Sequence, residues 1–120
     1  MKPRAAPQER VGAGPEALAE ALIDKLHYVQ AKLPQHATRN DWYMALAYTV
    51  RDRMLDRYIA TEDAITGAHT SAKVVAYFSA EYLTGPQLGN SLVNLGLWPA
   101  VESAVASTGH CHPHVVAAIQ

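Results

Sequence analysis

Apolar residues recur at intervals of three and four from Leu18 through Ala21, Leu22 and Leu26 to Val29, the spacing of one buried helical stripe. Pro15 suits a first-turn position and Pro34 closes the segment, so the pattern predicts a helix from Glu16 to about Leu33. A second helix starts at Thr38, whose side chain can cap it, and Asp41 approximates the acidic partner of a capping box. It carries two adjoining stripes, one of Trp42, Ala45, Leu46, Thr49 and Val50, the other of Tyr43, Ala47, Met54 and Tyr58. A helix apolar over so much of its circumference is expected to pack against more than one neighbour. Arg51, Asp52, Arg53, Asp56 and Arg57 alternate in sign on the remaining surface, the pattern of a solvated face with weak ion pairs.

Beyond the polar loop at 66–71 the period changes. Val74-Val75-Ala76-Tyr77-Phe78 is a short β-rich run with little alternation, which predicts a strand covered on both faces. Gly85-Pro86 then turns the chain, and two short helices are expected from Gln87 to about Leu95 and from Pro99 to about Ser107. Residues 1–15, with Pro3, Pro7, Gly12, Gly14 and Pro15, have little to bury and are expected to form a flexible tail. A lone strand would leave its backbone donors and acceptors unpaired. The expectation is therefore an α/β chain that pairs with another copy or is a piece of something larger.

Composition narrows the classes. Ten basic residues against eleven acidic ones leave no basic footprint for nucleic acid and no polybasic membrane patch. No apolar run approaches the ~18–20 residues a membrane span needs, and the basic N-terminus has no hydrophobic segment behind it, so no secretory signal is read. A single cysteine, Cys111, excludes an internal disulfide and fits a reducing compartment. A cytoplasmic location is expected.

Two places offer chemistry. Glu81 sits where the expected strand ends, and ligands of open α/β sheets bind outside the carboxyl ends of strands. A carboxylate there needs a partner or a task. His110-Cys111-His112-Pro113-His114 gathers imidazole and thiolate, but side chains so close in sequence do not readily close a tetrahedron around zinc. No metal site is assigned to them, and residues 109–120 are read as a divergent tail. No Ser-His-Asp constellation and no phosphate-cradling glycine loop is evident.

The residues Asp41-Trp42-Tyr43-Met44-Ala45-Leu46-Ala47-Tyr48-Thr49-Val50-Arg51-Asp52-Arg53-Met54 resemble the "YYALAHTVRD" helix near the start of glycogen (α-glucan) phosphorylases. Lys25-Leu26-His27-Tyr28 looks like the preceding "HLHFT" segment. Tyr77 to Gly96 is similar to the family's "YLSLEFLMG…L.NNLINLGL" strand–turn–helix. All three blocks agree in order and spacing and span roughly residues 20–107. The resemblance implies a mostly helical N-terminal fragment, residues 16–108, of a two-domain Rossmann-like glycosyltransferase of the GT-B type, containing its first core strand. It implies phosphorolysis of α-1,4-glucan by inorganic phosphate to glucose 1-phosphate, pyridoxal phosphate as cofactor, and a homodimer. Only Glu81 carries over as a supporting active-site residue. Neither the cofactor lysine nor the glycine-rich "GLGNGGLGRL" loop has a match, so the chain alone is expected to bind no cofactor and to be inactive.

Departures from the animal pattern suggest a bacterial-like, unregulated type. No serine precedes Ser71, so the phosphorylatable N-terminal serine of animal enzymes has no counterpart. Tyr58, Glu62 and Asp63 stand where those enzymes bind a nucleotide activator, and two carboxylates there would repel a phosphate. Gly85-Pro86 replaces a Gly-Arg pair. The alternative is a non-catalytic helical binding or assembly module with a metal-responsive tail at His110–His114. Whichever holds, the uncovered helix stripes and strand are expected to favour self-association.

Overall fold

The computed structural model describes residues 11–67, 73–80, 85 and 87–109. Four α-helices form its body: α1 (Pro15–Asp24), α2 (Arg39–Thr66), α3 (Leu88–Leu95) and α4 (Trp98–Ser107). Helix α1 lies against α4 and α2, while α3 bridges α2 and α4. Leu18, Leu22 and Leu26 from the first stripe meet Trp42, Ala45, Leu46 and Val50 from α2, and Leu92, Leu97, Val101, Ala104 and Val105 complete one core.

The first helix ends earlier than its periodicity predicts. After Asp24 the chain widens into a π turn over Lys25–Val29. The Gln30 N–H donates to the Lys25 carbonyl at 3.2 Å and the Lys32 N–H to the Leu26 carbonyl at 2.9 Å, closures wider than the α-helical one. Ala31, at φ 53°, then reverses the chain. The wider turn keeps Leu26 buried but rotates Val29 off the stripe, leaving it half exposed. A 3₁₀ turn at Pro34–His36 follows, and the Gln30 side-chain amide donates to the Asp41 carbonyl at 2.6 Å, tying this connection to the start of α2.

Helix α2 starts as its sequence indicates. The Asp41 N–H donates to the Thr38 hydroxyl oxygen at 3.3 Å, and the Thr38 N–H donates back to Asp41 Oδ2 at 2.8 Å, the reciprocal pairing of a capping box. The Thr38 hydroxyl also donates to Oδ2 at 2.7 Å. These donors, backbone first, hold the Asp41 carboxyl below its ordinary range, with Lys32 adding a smaller contribution.

Helix α3 ends in a Schellman cap. Gly96 adopts φ 68°, its N–H donates to Val93 O at 3.0 Å, and the Leu97 N–H donates to Leu92 O at 2.9 Å. Leu92 and Leu97 both lie in the core, so the Leu-Gly-Leu end of this helix is a stop signal with its own apolar contact.

The expected strand is not present: among the described residues there is none. Residues 73–80 carry no regular secondary structure, and Val74, Val75, Tyr77 and Phe78 are 74–92% exposed. The described residues supply no second strand to take up a ladder, and without one a β-rich run gains nothing from extended pairing.

Candidate functional site

Glu81 and the run His110-Cys111-His112-Pro113-His114 lie outside the described residues. Their immediate neighbours define what can be said of the place. Tyr77, Phe78, Ser79 and Ala80 are exposed ahead of Glu81, and Gly85 beyond it takes φ 130°, a conformation only glycine adopts readily. Among the described residues no group of three His, Cys, Asp or Glu side chains could hold a metal. No helix of the described residues is long and apolar enough to cross a membrane.

Pyridoxal phosphate requires a lysine that can shed its proton to form an imine, beside donors that cradle a phosphate. The described lysines do not fit it. Lys25 is tied up in an ion pair with Asp52 at 2.5 Å, and Lys32 and Lys73 are exposed.

Among the described residues, hollows lie at the helix junctions. An open cleft of about 490 Å³ is lined by Ala19, Glu20, Ile23, Asp24, Ser107 and Thr108. Its two carboxylates disfavour an anionic ligand such as phosphate. A smaller cavity of about 70 Å³ lies between Val11, Ala13, Arg53, Asp56, Arg57, Leu95 and Leu97.

The wall of that smaller cavity holds the most constrained charge among the described residues, and sequence reasoning missed it. Arg53, placed above on a solvated face, is buried. Its Nε and Nη2 donate to the Gly12 carbonyl at 3.1 and 2.5 Å, and its Nη1 donates to the Thr49 carbonyl at 2.8 Å. Burial pulls its pKa below the ordinary guanidinium value, and Asp52 acts weakly the other way. The available signal was periodicity: Arg53 continues the row Trp42, Leu46, Thr49 and falls on the core side of α2. Nearby, Trp42 Nε1 and Thr49 Oγ1 are buried without a hydrogen-bond partner.

The residues at the activator-like position are exposed. The Tyr58 hydroxyl donates to Glu62 Oε1 at 3.1 Å, and this bond to a carboxylate raises the phenol's pKa.

Laid out residue by residue, the recognisable blocks are packing and capping elements. Ala45, Leu46, Thr49 and Val50 are core, Leu92 and Leu97 close the Schellman cap, and Lys25–Val29 is the π turn. Such positions mark common descent of a scaffold. Comparison with known proteins agrees. The chain is 52% identical over 101 residues to a glycogen phosphorylase of Synechocystis sp., covering 84% of this chain and 12% of that protein. It is 39% identical over 84 residues to the brain form of Bos taurus, covering 70% of this chain and 10% of that protein. With the human liver form the identity is 38% over 92 residues, covering 77% and 11%. No family profile and no solved structure matches the chain. The class defined by these comparisons is that of the glycogen phosphorylases. The chain is a homologue of them, matched over a segment that spans about a tenth of the length of the curated relatives.

Proposed function

We propose that this chain is the N-terminal part of an α-glucan phosphorylase of bacterial type, contributing scaffold to an enzyme that releases glucose 1-phosphate from α-1,4-glucan with inorganic phosphate. The observation that carries the reading is the agreement of three separate blocks in one register, reinforced by 52% identity to the Synechocystis sp. enzyme over 101 residues. In this reading residues 16–108 belong to the N-terminal domain of a two-domain GT-B fold in the cytoplasm. Val74–Phe78 becomes the first strand of its sheet once neighbouring strands are present, and Glu81 supports the catalytic pocket from the strand end. The cofactor, the glycine-rich loop and the second subunit of a homodimer belong to the rest of the assembly, so the chain alone has no phosphorolytic activity.

The test is a chimera. The matched segment of the Synechocystis sp. enzyme is replaced by residues 16–108 of this chain, and glucose 1-phosphate release from glycogen is measured beside the isolated chain. Activity in the chimera and none in the isolated chain is expected. In the chimera, Glu81→Ala lowers kcat with pyridoxal phosphate still bound. A soluble chimera with bound cofactor but no turnover, or release of glucose 1-phosphate by the isolated chain, overturns the reading.

A further inference from the structure

Arg53 carries a full charge into the body of the fold. It is 5% exposed, and a cation withdrawn from water needs either a counter-charge or a complete set of hydrogen bonds. Among the described residues it has neither. The Gly12 and Thr49 carbonyls accept from its Nε, Nη1 and Nη2. Those bonds use three of the five N–H groups of a guanidinium and leave one over on each terminal nitrogen. Asp52, the carboxylate whose field reaches Arg53, is engaged by Lys25. Asp56 lines the adjoining cavity but is exposed, and among the described residues it makes no ion pair with Arg53.

The cavity beside this guanidinium measures about 70 Å³, several times the ~10–15 Å³ that one water-sized occupant needs. Its charged lining is Arg53, Arg57 and Asp56, and Leu95 and Leu97 add apolar wall. Two cations against one carboxylate leave one net positive charge, which a single monovalent anion balances. A dianion such as phosphate or sulfate overshoots that charge and is repelled by Asp56 more strongly. It also gives up more hydration than a halide does on meeting a partly apolar wall. We propose that this cavity is a binding site for a small monovalent anion of the chloride class, held by the N–H groups of Arg53 that the carbonyls leave over and drawn in by Arg57. The bound ion supplies the buried guanidinium with its counter-charge. It also fastens to α2 the two residues that flank Gly12, Val11 and Ala13, since both line the same cavity. The site uses none of the residues on which the phosphorylase reading rests its chemistry, so the two stand or fall separately.

Quadrupolar broadening of the chloride NMR line tests this, with chloride titrated into the purified chain while gluconate keeps the ionic strength constant. Saturable broadening is expected, displaced by bromide at lower concentration than by phosphate and abolished by Arg53→Met. Arg57→Gln weakens the binding about threefold and Asp56→Asn tightens it by about as much, the size of an exposed charge–charge contact. Both positions are exposed, so these two shifts remain decisive if Arg53→Met fails to fold. A purely structural part for Arg57 and Asp56 would not move the binding constant in opposite directions. Broadening that does not saturate, a constant unchanged in Asp56→Asn and Arg57→Gln, or displacement by phosphate ahead of bromide overturns the proposal.

Discussion

The two halves of α2 are one continuous helix with opposite supports. From Thr38 to Arg53 it is capped, packed by α1 and α3, and joined to the π turn through the Lys25–Asp52 ion pair. From Met54 to Thr66 every residue is exposed, and the side-chain bonds found there are local ones: Tyr58 to Glu62, Thr61 to the Arg57 carbonyl, and Thr66 to the Glu62 carbonyl. The first half is held by tertiary burial, the second by its connection to the first. Helix propensity and local bonds are weak next to burial, so the same backbone geometry rests on very different stability.

Truncations at equivalent apolar positions should separate the halves most sharply. Leu46→Ala, in the fully buried stripe, is expected to cost ~2–5 kcal/mol in urea unfolding. Ile59→Ala, on the exposed half, should stay within ~0.5 kcal/mol in monomer. Equal losses would show that the outer half is covered after all. Next in size is Gly96→Ala, which forces a side chain into positive φ and should lower stability by ~1–2 kcal/mol. Thr49→Val removes a buried hydroxyl that has no partner while keeping the shape of the side chain. It should raise the urea midpoint, by ~1 kcal/mol in stability, and a loss would mean the hydroxyl is bonded in solution.

The smallest effect is electrostatic and belongs to the capped end. Asp41's carboxyl titrates below its ordinary range in the folded chain, so its contribution is complete at neutral pH. That contribution is lost as pH falls through the depressed folded value. Thermal melts followed by circular dichroism from pH 7 down to pH 2 should therefore show a loss that Asp41→Asn reduces. An identical pH profile for the variant would remove the capping box from the account.

Most of the helical layout was legible because single positions carried a physical instruction. Pro15 opened α1, and Thr38 and Asp41 capped α2. The π turn was not legible, since it depends on which carbonyl Gln30 and Lys32 reach and the apolar spacing continues through it. The strand read at Val74–Phe78 is not formed among the described residues for a different reason. Strand character is a property of pairs, and the composition of one segment says nothing about whether its neighbours are in the same chain. Arg53 was misplaced because charge was weighed above helical phase. Of the candidate site, sequence alone supplied Glu81 by resemblance, and Glu81 lies outside the described residues.

The clamp of Arg53 on Gly12 has one more consequence. A guanidinium that grips a main-chain carbonyl reads no side chain, because every residue type offers the same oxygen. The point where the N-terminal stretch meets the body is therefore indifferent to what that stretch encodes. Lineages could lengthen, shorten or rewrite the leading residues without retuning the helices beneath them, so long as a carbonyl arrives at that spot.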